Sequence, residues 1–272
     1  MSQALRTFEI VTSLAHLVGF AVSLAFVNKD RVVPLKRGYV VYPEDGGQIT
    51  YGYEDGTSIS IVGLIAGTFA LSFFFQFVPA VFLWKSTYAR LYSKGIQYWR
   101  WIEYSFSATT LFLAGAAANG LREVSTALLI FGSMWVLMML GLVQELVAYY
   151  LKQLRHPKIH VVEFFLPSLL GWVPYIFLWV VAFDSMANNN KHAVPHKSNA
   201  LFAFYVFEFL AFSSFGINQA VQMARFYTNL QIDNIGRIAV QHEWVYAILS
   251  LTSKVIGAGI LLSGGLSLKG HY

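Results

Sequence analysis

The sequence contains no cysteine and little charge. Of its 272 residues, 12% are Asp, Glu, Lys or Arg and 56% are hydrophobic. A soluble domain carries about 25% charged residues, so the composition excludes a soluble globular domain and indicates an integral membrane protein. The absence of cysteine excludes disulfide bonds and thiolate metal sites. The net charge of +5 is typical of loop lysines and arginines that face anionic lipid, and it does not predict nucleic-acid binding.

Long apolar runs fill most of the chain. Seven stretches are long enough to cross the ~30 Å of bilayer hydrocarbon, and they lie near residues 6–27, 58–84, 99–120, 124–151, 161–183, 199–226 and 240–266. No internal repeat or soluble domain interrupts them. We therefore predict an all-α membrane protein in which residues 1–272 form a single seven-transmembrane-helix bundle.

The segment 28–57 differs from the apolar spans. It contains two runs of β-forming residues around Tyr39 and Tyr51, with Asp-Gly pairs in residues 44–47 and 54–56. Asp-Gly between β-forming residues is typical of hairpin turns. We expect a short antiparallel β-hairpin that lies on the bundle and turns at both Asp-Gly pairs. The alternative is a disordered loop.

Lysines and arginines are unevenly distributed between the two ends of the spans. The end that holds the N-terminus has the larger number: Lys85, Arg90, Lys94, Arg100, Lys152, Arg155, Lys158, Arg225 and Arg237. The other end has Arg122, Lys191, Lys197 and Lys269, together with the basic residues of segment 28–57. Because cytoplasmic loops carry an excess of Lys and Arg, we predict a cytoplasmic N-terminus and an extracellular C-terminus, which makes the hairpin loop extracellular.

One lysine, Lys254, lies in the middle of the last apolar span. A charged lysine at the bilayer centre costs about 3 kcal/mol or more, so its presence indicates a function. An amine in a dry pocket can form a Schiff base with an aldehyde. A protonated Schiff base there needs an anion within ~4–6 Å. Ser250 lies one helical turn before Lys254 and shares its face.

Glu103 in the third span is the best-placed acid to supply that anion. Glu103, Ser107 and Thr110 follow one another at i, i+4 and i+7, so they share one face of a helix. This face would bring two hydroxyl groups to the carboxylate. The alternative is an ion pair between Glu103 and Arg100 at the membrane interface.

Several other polar residues lie inside the predicted spans. Glu208 in the sixth span either forms a hydrogen bond between helices or takes part in proton movement, and Glu145 in the fourth span favours a structural ion pair. His16 in the first span and Gln76 in the second, together with Ser72, are mid-membrane groups. They either bond neighbouring helices or line a polar cavity beside the lysine.

Aromatic and thioether side chains would have to hold any long, flat ligand of that lysine. The candidates are Met134 and Met138 on the fourth span, Trp172 and Tyr175 on the fifth, and Phe212 and Phe215 on the sixth. Met and aromatic residues at helical spacing are also typical of an ordinary bundle core. Residue by residue, therefore, the pattern leaves both interpretations open.

Three motifs connect these residues to a known family. The third span carries Trp99-Arg-Trp-Ile-Glu103-Tyr-Ser, the sixth carries Glu208-Phe-Leu-Ala-Phe212-Ser-Ser-Phe-Gly-Ile-Asn-Gln219, and the seventh carries Glu243-Trp-Val-Tyr-Ala-Ile-Leu-Ser250-Leu-Thr-Ser-Lys254. With the seven spans, these motifs resemble the heliorhodopsins over essentially the whole chain.

The resemblance implies a chromophore, its site and an assembly. It implies all-trans-retinal bound covalently through Lys254, with Glu103 as counterion, Ser107 and Ser250 near the Schiff base, and Phe212 in the retinal pocket. It further implies an inverted orientation relative to other microbial rhodopsins, a homodimer, and a first loop folded as a β-hairpin. The inverted orientation agrees with the distribution of loop charges.

The chain departs from its relatives at one position in the second span. Some heliorhodopsins have histidines in both the first and the second span near the Schiff base. Here His16 matches the first, but Gln76 stands at the second, and a glutamine cannot take up a proton as an imidazole can.

Outward proton pumps carry a second carboxylate eleven residues beyond the counterion, where this chain has Ala114.

Three functions are consistent with the sequence. The first is a light-sensing, non-enzymatic retinal photoreceptor with a slow photocycle, no ion pumping and an unidentified signalling partner. The second is light-gated or light-driven proton transport, with Glu208, Glu145 and His16 as relay groups. The third is a seven-helix transporter or receptor in which Lys254 holds a non-covalent ligand.

Overall fold

A computed structural model of the chain describes residues 3–27, 30, 32–42, 48–84, 88–153, 160–190, 195–228 and 233–265. These residues form eight α-helices and one two-stranded sheet. The helices are α1 Gln3–Leu24, α2 Ile61–Phe82, α3 Ala89–Lys94, α4 Tyr98–Ala118, α5 Val124–Gln153, α6 Val161–Asn190, α7 Pro195–Thr228 and α8 Asp233–Ile260. A π-helical turn, Leu261–Gly265, continues α8.

Seven long helices correspond to the seven predicted spans, and the predicted seven-helix fold with its hairpin is confirmed. Among the described residues, six of the helices are long and apolar enough to cross a membrane. The remaining one, α4, has a similar length but carries many polar side chains, and 13 of its 21 residues are buried. Because α4 packs between α2 and α5, its polar groups are shielded from lipid.

Several helices extend beyond the predicted spans. The structure has α6 ending at Asn190 and α7 beginning at Pro195, whereas the spans end and begin at residues 183 and 199. Likewise α8 begins at Asp233 instead of residue 240. The additional residues include charged residues such as Asp184, Lys197 and Asp233, which interrupt the apolar runs. An apolar run therefore marks only the part of a helix that lies in hydrocarbon.

The segment between α2 and α4 contains a short helix that the sequence did not predict. This helix, α3, is six residues long and is followed by Gly95, whose φ of +73° is in the left-handed region that favours glycine at helix ends. Its Tyr92 is fully buried and packs edge-on against Tyr88 at 4.9 Å between ring centroids. Tyr92 also packs in a hydrophobic cluster with Leu5 of α1 and Trp244 of α8, and this cluster holds α3 against the end of the bundle.

The predicted hairpin consists of β1 Val32–Val41 and β2 Thr50–Ser60, which pair in antiparallel register. Val33 and Leu35 are buried in the hydrophobic core of the bundle. The backbone N–H of Lys36 donates to the carbonyl of Arg122 at 2.6 Å. The hairpin therefore packs on the loop between α4 and α5, as expected.

One of the two predicted turns is wrong. Residues 54–56 lie inside β2, where Glu54 pairs with Arg37 and Asp55 with Lys36. Opposite charges facing each other across the strands stabilise this pairing, and an irregularity between Pro34 and Lys36 adjusts the register. The other predicted turn, at 44–47, lies outside the described residues.

Candidate functional site

The side chains of Lys254 on α8 and Glu103 on α4 meet in the interior of the bundle. Lys254 Nζ lies 2.5 Å from Glu103 Oε1 and donates to Ser250 Oγ at 2.7 Å. Both charged residues are buried, at 3% and 2% exposure. The ring of Tyr104 lies beneath the cation, 5.1 Å from Nζ to the centroid. A buried ion pair with additional hydrogen bonds can be kept in low dielectric.

Polar side chains from two helices surround the Glu103 carboxylate. Ser107 Oγ lies 3.5 Å from Glu103 Oε1, and Gln76 Nε2 donates to Oε2 at 3.4 Å. Thr110 does not reach the carboxylate, because its hydroxyl bonds Thr68 Oγ1 at 2.8 Å. Two of the three residues on the predicted α4 face thus meet at the ion pair.

The other predicted cavity residues, Ser72 and His16, are buried near the site but make no direct contact with it. Ser72 Oγ donates to the backbone carbonyl of Thr68 at 2.9 Å. His16 on α1 is fully buried, and neither ring nitrogen has a hydrogen-bond partner among the described residues. Its imidazole faces Phe69, with 6.0 Å between ring centroids.

An apolar cavity begins at Lys254 and extends between α4, α5, α6 and α7. Its lining is mostly aromatic and aliphatic, and among the described residues Lys254 is the one charged residue in it. The lining residues are Trp101, Tyr104, Ala108, Leu111, Leu137, Met138, Leu140, Gly141, Pro167, Ser168, Gly171, Trp172, Tyr175, Phe212, Phe215, Gly216, Gln219, Tyr246, Ser253 and Lys254. A primary amine at the end of an apolar, aromatic cavity fits an aldehyde with a long polyene chain.

Most of the predicted pocket residues line this cavity. They are Met138, Trp172, Tyr175, Phe212 and Phe215. Tyr175 is anchored by a hydrogen bond of 2.5 Å to Ser213 Oγ. Met134 does not line the cavity and is packed in the adjacent hydrophobic core.

Sequence reasoning missed one complete wall of the cavity, on α4. Trp101, Tyr104, Ala108 and Leu111 line it, and they repeat at intervals of three and four residues. That spacing marks one helix face and was readable in the sequence. The contributions of Gln219 and Tyr246, from α7 and α8, had no comparable local signal.

Arg100 on α4 does not pair with Glu103, so the predicted alternative for that glutamate is wrong. Arg100 instead forms buried ion pairs with Glu145 on α5 and Glu243 on α8. Its guanidinium stacks over the ring of Tyr246, 3.8 Å from the centroid. Glu145 also accepts a hydrogen bond from the backbone N–H of Gln97 at 2.9 Å. This triad ties three helices together at the end of the cavity.

Removing the cation of this triad should destabilise the protein strongly. We expect Arg100→Leu to lower the free energy of unfolding by about 3–5 kcal/mol, because two buried carboxylates lose their partner. Arg90→Leu is the matched control, since Arg90 is exposed and a surface change of this kind stays within about 0.5 kcal/mol. Denaturant unfolding in detergent micelles measures both values. Equal effects of the two variants would contradict a stabilising role of the triad.

Glu208 on α7 is buried, at 1% exposure, and neither of its carboxyl oxygens has a hydrogen-bond partner among the described residues. The predicted hydrogen bond between helices is therefore not formed by the part of the chain that is described. The carboxyl group lies against Gly257, one turn beyond Lys254, where a Cβ atom would overlap Glu208 Oε1. A glycine at this position lets the two helices approach.

The close approach at Gly257 leads to a prediction. We expect Gly257→Ala to displace the Glu208 side chain and to lower the thermal midpoint by several degrees, because an overpacked core residue costs about 1–3 kcal/mol. Gly259→Ala is the control, since a Cβ there meets no atom within 4 Å. If both variants melt at the wild-type temperature, Glu208 is not confined by this contact.

A further buried acid, Glu9 on α1, was not predicted. Tyr92 donates its hydroxyl to Glu9 Oε1 at 3.4 Å. Burial raises the pKa of the Tyr92 hydroxyl well above its usual range, so this group remains a hydrogen-bond donor. An acid near the N-terminal end of an apolar run gives no sign of its depth in the bundle, because burial depends on the helices packed around it.

Comparison with solved structures identifies the class of fold. The crystal structure of Exiguobacterium sibiricum rhodopsin superposes with a TM-score of 0.64, at 13% sequence identity and with 98% of each chain covered. The fold is therefore that of a rhodopsin. The comparison with curated protein sequences gave no match.

Sequence comparison identifies the protein family to which the chain belongs. The family model described as Heliorhodopsin matches residues 5–266, and the chain belongs to the heliorhodopsin family. As a member, it is a multi-pass membrane protein of the retinal-binding photoreceptor class, a class generally concerned with light sensing and not with enzymatic catalysis.

Proposed function

We propose that this heliorhodopsin is a light sensor that binds all-trans-retinal covalently through Lys254, with Glu103 as counterion. The observation that carries the proposal is the buried Lys254–Glu103 ion pair at the end of an apolar, aromatic cavity. Retinal held there as a protonated Schiff base would absorb visible light and isomerise. The family match argues against a transporter or receptor with a non-covalent ligand at this lysine.

The residues around the ion pair have separate tasks in this proposal. Glu103 compensates the positive charge on the Lys254 nitrogen, and Ser250, which is within 2.7 Å of that nitrogen, orients it. The aromatic lining excludes water and holds the ligand flat between α4, α6 and α7. The hydrogen bonds that the polar groups make to Glu103 are then the first to change when a proton moves from the nitrogen to the carboxylate.

A slow photocycle without pumping is the favoured form of this function. The position eleven residues beyond Glu103 is Ala114, which is fully buried and has no carboxyl group. Of the three relay candidates, Glu145 is held in the ion pair with Arg100. Proton transport is the second candidate function. The buried carboxyl of Glu208 and the buried imidazole of His16, which have no hydrogen-bond partner within the described ranges, favour it.

Photocurrents separate these two functions. In voltage-clamped cells that contain retinal, we expect no sustained photocurrent when the proton gradient is varied. Glu208→Gln is measured beside the wild type, because this substitution removes a titratable carboxyl group without changing the size of the side chain. A sustained current that follows the proton gradient in the wild type and falls in Glu208→Gln would overturn the sensor proposal in favour of proton transport.

Orientation and assembly complete the proposal. The excess of basic residues supports a cytoplasmic N-terminus and an extracellular C-terminus. Val40, Tyr51 and Tyr53 are exposed and lie on one face of the hairpin, because Val40 pairs with Tyr51 across the strands; a second copy of the chain would cover this face in a homodimer. An unidentified partner on the cytoplasmic side would receive the signal. Protease access to tags at the two termini in sealed vesicles tests the orientation.

A further inference from the structure

The side chain of Gln76 on α2 lies between a carboxylate and a hydroxyl group. Its Nε2 donates to Glu103 Oε2 at 3.4 Å, and its Oε1 accepts from Thr12 Oγ1 on α1 at 3.3 Å. Gln76 and Thr12 are both buried, at 6% and 2% exposure. The amide thus forms a bridge from the counterion on α4 to helix α1.

The charge of Glu103 determines which end of the amide faces it. An ionised carboxylate can only accept hydrogen bonds, whereas a protonated one carries an O–H donor. The ionised form therefore requires the Nε2 end of Gln76, and the protonated form is bonded better by Oε1. Leaving a buried donor facing another donor costs about 1–3 kcal/mol, which is enough to drive a rotation of the amide.

The hydroxyl group of Thr12 can hydrogen-bond to the Gln76 amide in either orientation of that amide. Its hydroxyl lies within 3.1 Å of the backbone carbonyls of Phe8 and Glu9, in addition to 3.3 Å from Gln76 Oε1. The single hydroxyl proton can point to the amide, or it can turn to a carbonyl and leave the oxygen free to accept from Nε2. All polar groups in the bridge are paired in both arrangements.

We propose that Gln76 is a positioning residue and a two-state hydrogen-bond switch that transmits the protonation of Glu103 to α1. The proposal rests on the proposed roles of Lys254 and Glu103. The N–H bond at the Lys254 nitrogen breaks, its proton forms an O–H bond on Glu103, and no other covalent bond changes. The amide then turns by half a rotation, so that Oε1 accepts from Glu103 and Nε2 donates to Thr12.

A glutamine suits this role because its amide carries a hydrogen-bond donor and an acceptor side by side. Gln76 does not take up the proton; its amide group changes orientation when the proton binds to the Glu103 carboxylate. A packed element with two discrete hydrogen-bonded arrangements is the usual basis of a structural switch. The switch connects light absorption to α1, the first helix of the bundle.

The first test is the infrared spectrum of the Glu103 carboxylate. In the retinal-free protein, the carboxylate stretching band of Glu103 is assigned by its loss in Glu103→Gln. Because Gln76 Nε2 donates to Glu103 Oε2, and a hydrogen bond to a carboxylate changes its stretching frequency, Gln76→Leu should shift this band. Lys254, which forms the ion pair with Glu103, is the same in both proteins.

The second test follows the amide itself. Light-minus-dark infrared spectra of the retinal-loaded protein, with side-chain-labelled glutamine, should show a shifted amide carbonyl band that Gln76→Leu lacks. Thr12→Val should reduce this band, since the rotated amide loses its acceptor. Ser23→Ala is the matched control, because the Ser23 hydroxyl donates to the backbone carbonyl of Gly19 in its own helix at 2.8 Å.

The outcomes are distinguishable. An unshifted carboxylate band in Gln76→Leu would overturn the positioning role, and a missing amide band in the wild type would overturn the switch. If Gln76→Leu does not fold, the band in Thr12→Val decides, and a band as strong as in the wild type would contradict the proposal. A failure of retinal binding would contradict the proposed function but leave the carboxylate band of the retinal-free protein valid as a test of the Gln76–Glu103 contact.

Discussion

Lys254→Ala is expected to abolish the visible absorption band that the wild-type protein acquires with all-trans-retinal. The reason is chemical, because the amine that forms the covalent link is removed while the apolar cavity remains. Among the described residues that line the cavity, Lys254 is the one lysine, so its removal leaves no other amine in that part of the lining. Absorption spectra of the purified proteins after incubation with retinal measure the effect, which should be a complete loss.

Lys94→Ala is the matched control for this experiment. Lys94 is in the last turn of α3, over the ring of Tyr149 and away from the cavity. It should therefore leave the band unchanged. A colourless wild-type protein would refute both the sensor and the proton-transport proposals. A visible band that survives Lys254→Ala would place the link on another residue.

Glu103→Gln should shift the visible band to longer wavelength. The anion lies 2.5 Å from the Lys254 nitrogen, where it stabilises the positive charge in the ground state more than in the excited state. Without it, the excitation gap narrows.

The Glu103 experiment has a control and a clear contrary result. Glu208→Gln removes the other buried acid near Lys254 without changing the ion pair, and its band should stay close to that of the wild type. If Glu103→Gln leaves the band unshifted while Glu208→Gln moves it, the counterion is Glu208. Spectra recorded over a pH series distinguish the two assignments.

The core of the site was predictable because it depends on composition and local spacing. A lysine in an apolar run is visible in the sequence, and Glu103 and Ser107, one turn apart on α4, were correctly placed near each other. Thr110 was grouped with them because it shares the helix face. It lies about 10 Å along the axis from Glu103, however, and bonds Thr68 instead.

The remaining parts of the site depend on contacts between distant segments. Arg100 meets partners 45 and 143 residues away along the chain, and nothing in the local pattern of α4 distinguishes these from Glu103. The bridge of Gln76 to Thr12 and Glu103 spans three helices and is equally hidden. The misplaced turn at residues 54–56 has a related cause, since cross-strand pairing with Arg37 and Lys36 overrides the turn preference of Asp-Gly.

The most direct test of the covalent retinal site is chemical labelling. Reduction of the retinal-loaded protein with borohydride converts the link into a stable secondary amine, and mass spectrometry of the digested protein then locates the adduct. We predict a retinyl adduct on the peptide that contains Lys254, and no such adduct in Lys254→Ala. An adduct on a different lysine, or none in the wild type, would contradict the assignment.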